Sequence, residues 1–314
     1  MKPKRRSFLT VVLGLAATCL PLSALAVDAP RKIRLLIIDG ISNHDWQRRL
    51  AMVRDILTRD GSFEVDVSIT PPDAPPGAPP GASDADAWAR WRPDFARYDV
   101  VLSAYNNLGG KPGWPVEVQR AFEAFVQGGG GFYAYHEANN AFAEWPQYNQ
   151  MIGLGWRNKN FGPALLVRED ETLQTVAAGE GDDTWHGDRT DALVHQLGQH
   201  PIHAGLPRSW RAADIEVYRY ARGPASNVNV IAYAHDAVDA QSFPIEWTAQ
   251  YGQGRVFVST YGHLWHGQQD PPSMRCAAFQ TIMPRALKWL AGRDPEPEVP
   301  ADFPGPNAVS LRQP

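Results

Sequence analysis

Three histidines, His44, His136 and His263, each follow an apolar, strand-like segment of the chain. If these segments belong to one parallel sheet, the three side chains meet at its carboxyl edge, where open α/β proteins bind ligands. Neutral imidazoles with a nearby carboxylate can hold a divalent cation that polarises a carbonyl or activates water. Without a metal, the same imidazoles can donate and accept protons near neutral pH. Both interpretations stay open beside a third, in which each histidine only caps a loop by hydrogen bonding.

The stretch 128–140, with the sequence GGGGFYAYHEANN, carries the strongest local signal. A glycine run leads into a short aromatic strand that ends abruptly at His136 and Glu137. In other α/β enzymes this strand-to-turn position carries a Ser or Cys nucleophile. Here it carries a histidine, which argues against ordinary acyl transfer. His136, His263, His44 and Glu137 are therefore the candidate catalytic residues, and the three histidines are also the candidate metal ligands.

Other polar and aromatic side chains are expected around the same edge. Glu216 and Tyr218 alternate with apolar neighbours, so they share one face of an extended segment. Flat rings with polar edges suit the C–H faces of sugars. His186 is equally compatible with this site and with the surface. The candidate substrate-binding residues are Asn139, Asn140, Trp46, Trp145, Glu216 and Tyr218.

A repeated order of strands and helices must position these residues. Ile33–Ile38 is a nearly continuous apolar run of the kind buried in parallel sheets. Residues 46–59 show apolar positions at helical spacing. The remaining elements of the first half are strands at Phe63–Ile69, Tyr98–Ala104 and Phe132–Tyr135, with a helix at Pro115–Gln127. This order predicts an α/β fold of the flavodoxin-like type, an open, mostly parallel sheet with helices on both faces.

The second half is predicted to be loop-rich. Regular structure returns at Val228–Ala232, at Phe243–Trp247 and in a turn and strand within 251–262, before a closing helix at Ala277–Leu290. Two Pro-rich segments, Pro71–Pro80 and 293–314, are expected to be a stiff surface loop and a flexible tail.

Residues 1–26 have the composition of an export signal. A basic head that includes Arg5 and Arg6 precedes an apolar segment, which ends in the small-residue site Ala24-Leu25-Ala26. The run 4–9 also fits the twin-arginine pattern of proteins exported after folding. The sequence therefore predicts a cleaved leader and a periplasmic protein with one domain over residues 32–292.

Charge and composition exclude several classes of protein. Removing residues 1–26 takes away four basic residues and no acidic one, which changes the net charge from −4 to −8. Such a surface argues against a nucleic-acid partner. No other apolar run reaches membrane-spanning length, and no nucleotide-cofactor motif is present. Cys276 is then the only cysteine, so no intramolecular disulfide is expected. The oligomeric state stays open, a homo-oligomer included.

Several motifs in order resemble one known family, the ThuA-like proteins, which are named for trehalose utilisation. The resemblance spans about residues 32–292. The motifs that carry it are Asn43-His44-Asp45-Trp46, the glycine-rich strand into His136 and on to Phe142, Glu144–Gly153, His200-Pro201-Ile202, Tyr251–Phe257, Gly262-His263 and Met274-Arg275-Cys276.

This resemblance implies a fold like that of class I glutamine amidotransferases and a role in catabolism of trehalose and related sugars. In that fold the amidotransferase cysteine occupies the turn that here carries His136, so glutamine hydrolysis is not supported. Glu137 departs from the small residue expected after the histidine, which puts the family's ligand preference in doubt at this position. Family members are linked with sugars that partner dehydrogenases oxidise to a 3-keto form.

The sequence thus favours an exported enzyme that acts on a keto-sugar or glycoside by hydrolysis, elimination or isomerisation. The histidines would act by acid–base or metal-assisted chemistry. The alternative is a non-catalytic carbohydrate-binding protein of the periplasm. A third hypothesis, an interaction module of a cell-envelope complex, rests only on the Pro-rich tail.

Overall fold

The computed structural model describes residue 1, residues 31–72 and residues 84–313. The export signal predicted at 1–26, and the Pro-rich loop from residue 73 onward, lie outside the described residues. Within the described ranges, no helix is long and apolar enough to cross a membrane. The fold concerns the compact unit that begins at Lys32.

The described residues form eleven strands and six α-helices. The strands are β1 (Ile33–Asp39), β2 (Phe63–Ile69), β3 (Val100–Ser103), β4 (Gly131–Tyr135), β5 (Ala164–Val167), β6 (Leu173–Val176), β7 (Thr190–Gln196), β8 (Ser209–Ile215), β9 (Asn229–Asp236), β10 (Gln241–Tyr251) and β11 (Gly254–Ser259). The helices are α1 (Trp46–Asp60), α2 (Ala85–Arg90), α3 (Val116–Gln127), α4 (Pro146–Ile152), α5 (Pro272–Arg275) and α6 (Ala277–Leu290). Short 3₁₀ turns cover Phe95–Arg97, His136–Asn140 and Pro201–His203.

The strands join into one mixed sheet with the order β2-β1-β3-β4-β11-β10-β9-β7-β8, to which β5 and β6 are added beside β10. The pairs from β2 to β11 are parallel. The pairs among the remaining strands, and between β10 and β11, are antiparallel. The α/β class is confirmed, but the prediction of a mostly parallel sheet is wrong for the second half of the chain.

Short connections explain the antiparallel half. Only residues 237–240 separate β9 from β10, and only residues 252–253 separate β10 from β11. Loops of this length can join only antiparallel neighbours, because a parallel pair needs a crossover connection of a dozen or more residues. The second half also contains β5, β6, β7 and β8, which the expectation of a loop-rich region omitted.

Helices cover both faces of the parallel half, as predicted. Successive residues of β1 alternate between the two faces, so Leu35 and Ile37 enter one core with α1 and α6. Leu36 and Ile38 enter a second core with α3 and α4. Burial on both faces explains why this strand reads as a continuous apolar run. The two cores fix the carboxyl edge of the parallel strands in place.

The C-terminal segment after α6 lies against the domain, in contrast to the free tail expected from its composition. Arg285 of α6 donates hydrogen bonds to the carbonyls of Glu296 and Glu298. The amide of Arg211 in β8 donates to the carbonyl of Gly305. The Phe303 ring packs on Trp210, with centroids 5.7 Å apart. These contacts make the segment part of the packing around β8 and α6.

Candidate active site at the carboxyl edge of the sheet

The structure brings the three strand-end histidines together. His44 lies between β1 and α1, His136 directly follows β4, and His263 lies in the loop after β11. Their ring centroids are 4.7–5.3 Å apart. One ring nitrogen from each lies within 4.8 Å of the other two. We call these three residues the histidine cluster.

His136 presents a bare nitrogen to the cluster. Its backbone has φ 36°, an unusual conformation for a residue with a side chain, and such strain concentrates at functional positions. Its Nδ1 lies 2.8 Å from the carbonyl oxygen of Thr260, which can only accept, so Nδ1 carries the hydrogen. Nε2 is fully buried without a hydrogen-bond partner. The ring therefore directs an unshared electron pair into the site.

The tautomer of His44 follows from a chain of hydrogen bonds. The Leu108 amide donates to Oδ1 of Asn106, which fixes the orientation of that side chain. Asn106 Nδ2 then donates to Oδ1 of Asn43, 2.8 Å away. The same oxygen lies 3.0 Å from Nδ1 of His44, so this ring also carries its hydrogen on Nδ1. Its Nε2 is left with a free electron pair.

His263 has the opposite tautomer. The Arg189 guanidinium donates to its Nδ1, so the hydrogen of the neutral ring is on Nε2. That nitrogen lies 3.3 Å from Oε1 of Glu216. The preceding Gly262 has φ 89°, and a Cβ there would collide with the hydroxyl of Tyr135. This tight turn sets the position of the His263 ring.

Glu216 is the carboxylate on which the site converges. It follows β8, which lies beside the loop after β11 because Trp210 Nε1 donates to the Tyr261 hydroxyl. Its Oε2 lies 3.5 Å from Nε2 of His136, and its Oε1 lies 3.4 Å from Nε2 of His186. The residue is buried, and burial raises the pKa of its carboxyl.

Burial holds the histidine cluster in its neutral form. Burial, and then the nearby His263, lower the pKa of His44 to about 2. Burial, and then Arg189, lower the pKa of His263 to about 3. The pKa of His136 is also well below its usual value, first because of burial. Neutral imidazoles of this kind are good ligands but weak bases at neutral pH.

Glu137 faces away from the centre of the cluster into a buried ion-pair network. Arg49 of α1 binds Oε1 of Glu137 and lies 2.6 Å from Oδ1 of Asp39. Ser42 donates to the same Glu137 oxygen. Glu137 Oε1 is 3.9 Å from Nδ1 of His44, so this network positions the His44 loop. The catalytic role expected for Glu137 stays a prediction, and these contacts favour a positioning role.

The proposed substrate-binding residues divide into two groups. The amides of Asn139 and Asn140, in the 3₁₀ turn after His136, keep buried atoms without hydrogen-bond partners. Tyr218 hydrogen-bonds to Glu216 and stands beside the His136 ring. These residues border the cluster. Their role in binding a substrate stays a prediction.

The two tryptophans lie elsewhere. Trp46 begins α1 and is partly exposed. Trp145 is buried among the aromatic rings of the second core, including Trp114 and Phe142. Its Nε1 donates to Glu123, 2.6 Å away. Trp145 therefore belongs to the core packing, and the expectation that it faces a substrate finds no support in its contacts.

His186 is a site residue to which sequence reasoning gave little weight. Its Nδ1 lies 2.6 Å from the carbonyl oxygen of Gly187 and its ring stacks on Tyr218. Its side chain is 31% exposed, so solvent reaches the site here. Trp156 packs edge-on against it. On the other side of the site, Trp265 stacks on His263 and is 47% exposed. Together they form an aromatic rim, which we define as Trp156, His186 and Trp265.

Comparison with known proteins places this site in a family. The family model ThuA, described as trehalose utilisation, matches residues 34–290. A ThuA-like protein from Parabacteroides merdae is 32% identical, with a TM-score of 0.80, over 90% of this chain and 98% of that one. One from Bacteroides uniformis shares the fold at 15% identity and a TM-score of 0.53, over 85% of this chain and 94% of that one. No curated protein matches the chain.

Proposed function

The chain belongs to the ThuA family of trehalose utilisation, and we propose that it is an exported enzyme that acts on a keto-sugar or glycoside related to trehalose. The observation that carries the catalytic part is the convergence on Glu216. Its carboxylate lies within 3.3–3.5 Å of the Nε2 atoms of His136, His186 and His263. A buried carboxylate surrounded by imidazoles, with one of them open to solvent, is an arrangement suited to moving protons.

His186 is the proton-transfer group in this proposal. Its Nδ1 hydrogen is held by the carbonyl of Gly187, so its Nε2 directs an electron pair toward Glu216 and the open side of the site. A ketone acidifies the adjacent C–H bond of a sugar. Nε2 removes this proton, the C–H electron pair moves into an enediolate, and Glu216 stabilises the imidazolium that forms. Return of the proton to another carbon gives isomerisation, whereas loss of a glycosidic oxygen gives elimination.

Features at the edge of the site suit a carbohydrate. The exposed face of Trp265 and the edge of Trp156 offer flat apolar surfaces for the C–H face of a sugar ring. The unpaired amide atoms of Asn139 and the unpaired amide oxygen of Asn140 can bind sugar hydroxyls. Burying such groups without partners costs free energy that a bound hydroxyl would recover.

Acyl transfer from glutamine does not fit this chain. His136 occupies the turn where a nucleophile would stand. Cys276, the free cysteine of the described residues, begins α6 instead, is fully buried, and has a thiol pKa that burial raises. A buried thiol of this kind is an inert packing residue.

The proposal is tested on protein recovered from a periplasmic extract of cells that express the full chain. Recovery there without residues 1–26 tests export. Trehalose, 3-keto-trehalose and related glycosides are then incubated with the protein, and products are identified by NMR. We expect turnover of a keto-sugar, and we expect His186→Ala to lower kcat by about 10²–10⁴-fold because it removes the proton-transfer group.

The matched control is His235→Ala, which removes an exposed histidine of β9 outside the site. It should leave kcat unchanged. Circular dichroism verifies that both variants are folded. Tight calorimetric binding of a sugar with no product after long incubation would replace the enzyme proposal with the carbohydrate-binding alternative. Full turnover by His186→Ala would remove the role assigned to that residue.

A further inference from the structure

We propose that Nε2 of His44, Nε2 of His136 and the carboxylate of Glu216 bind one divalent transition-metal ion, with His263 orienting the carboxylate. The inference rests on the proposed function in one respect: a cation here would stabilise the enediolate oxygen of the keto-sugar reaction. Metal binding itself is measured without a substrate.

The first argument is the opposition of two electron-rich groups at His136. Its Nδ1 hydrogen is committed to Thr260, so Nε2 has an electron pair and no hydrogen. That nitrogen faces Oε2 of Glu216 at 3.5 Å and has no hydrogen-bond partner. Two buried acceptors do not face each other without a positive species between them. A metal ion satisfies both at once.

The second argument is the separation itself. Two ligand atoms that each lie about 2.1 Å from a tetrahedral zinc ion are about 3.4 Å apart. The separation of 3.5 Å between His136 Nε2 and Glu216 Oε2 agrees with this value. The site therefore needs only small side-chain movements to bind an ion.

The third argument is that His44 has the same tautomer as His136. The Asn106–Asn43 hydrogen bond fixes Nδ1 of His44 as the donor, so its Nε2 also directs an electron pair outward. Its ring centroid is 5.2 Å from that of His136. Metal-binding histidines are typically held in this way, by a hydrogen bond from the second ring nitrogen. Asn43 and Thr260 supply these two supporting contacts.

His263 has a different part in the site. Because Arg189 donates to its Nδ1, its Nε2 carries a hydrogen and donates to Oε1 of Glu216. It therefore holds the carboxylate in place, as outer residues of metal sites commonly do. This tautomer distinguishes the present ligand set from one built on three histidines.

The ligand chemistry restricts the metal. Two imidazoles and one carboxylate suit zinc, iron or manganese, and zinc enzymes with this set keep an open position for water or substrate. Calcium and magnesium prefer oxygen ligands alone and are expected to bind weakly.

The test uses the folded protein after dialysis against a chelator. Calorimetric titration with zinc chloride or manganese chloride should give one ion per chain. His44→Ala, His136→Ala and Glu216→Gln should each lower affinity more than 100-fold, beyond the 10–100-fold range typical for loss of a supporting residue. His263→Ala should stay within that range, and His235→Ala should bind like the wild type.

A second measurement avoids dependence on variants that fold poorly. In ¹⁵N NMR of the wild-type protein, zinc should shift the Nε2 resonances of His44 and His136 strongly and leave Nε2 of His263 protonated. Absence of stoichiometric uptake, or Nε2 coordination by His263, would overturn the assignment. Turnover of a sugar by metal-free protein would contradict this inference alone, and metal uptake without turnover on any sugar would contradict the proposed function alone.

Discussion

Arg49 lies buried between the carboxylates of Asp39 and Glu137, next to the histidine cluster. The three charged groups are almost completely withdrawn from solvent. Burial is the main cause that raises the pKa of Asp39, and Arg49 opposes this shift. Removing the cation would leave two carboxylates together in a low-dielectric interior, which costs far more than loss of a surface ion pair.

We therefore expect Arg49→Met to destabilise the protein by about 3–5 kcal/mol. Arg54→Met, at an exposed position of the same helix, should change stability by less than about 0.5 kcal/mol. Denaturant unfolding of both variants measures the difference. Equal stability of the two would show that the buried network contributes little to folding.

Strand-end position was sufficient to find His44, His136 and His263 from the sequence, because parallel strands deliver their last residues to one edge. Arg49 was missed, although one signal was available. It lies at positions i−4 and i−7 from Val53 and Ile56, on the apolar face of α1, where a charged residue requires a buried partner. The tautomers could not be inferred, because they depend on contacts with Thr260 and Arg189 that are distant in the chain.

At the scale of elements, the C-terminal segment is fastened to the domain by charged pairs. Arg312 binds both carboxylate oxygens of Asp302, at 2.7 and 2.8 Å. The hydrogen bond from Arg312 is the largest cause that holds the pKa of Asp302 below its ordinary value of 3.8. A carboxyl with a lowered pKa in the folded state stabilises the protein above its unfolded pKa. That contribution disappears as the pH falls through the folded pKa.

Asp302→Asn should therefore lower stability at pH 7, by less than about 1 kcal/mol because the pair is partly exposed. The difference from wild type should shrink as the pH is lowered below 3.8. Asp294→Asn, at an exposed position of the same segment, serves as the control. A difference that persists unchanged at low pH would mean that Asp302 acts through packing and not through its charge.

Helices and strands with strong periodic patterns could be predicted, and long-range pairing could not. The predicted helices at Pro115–Gln127 and Ala277–Leu290 agree with α3 and α6 within one residue. The strand β2 has the predicted bounds. In contrast, β6 is short and largely exposed, so it carries no apolar signal. Parallel or antiparallel pairing depends on connection length, which the predicted element bounds did not resolve around β10.

For the whole molecule, the mixed sheet has a functional consequence. The parallel half delivers the histidine cluster from its carboxyl edge, and the antiparallel half brings Glu216 to the same place from β8. An all-parallel sheet would have left the origin of this carboxylate unexplained. The sequence predicted the α/β class and the position of the site, whereas the meeting of the two halves emerged only from the complete fold.

The account as a whole rests on proton transfer at Glu216 and its neighbouring imidazoles. The most direct measurement follows exchange of the C–H hydrogen beside the ketone of 3-keto-trehalose in deuterated buffer by ¹H NMR. Wild-type protein should catalyse this exchange, and folded Glu216→Gln should be slower by at least about 100-fold, because the imidazolium loses its carboxylate partner. Exchange by the variant at the wild-type rate, or no exchange by the wild type on any keto-sugar, would contradict the account.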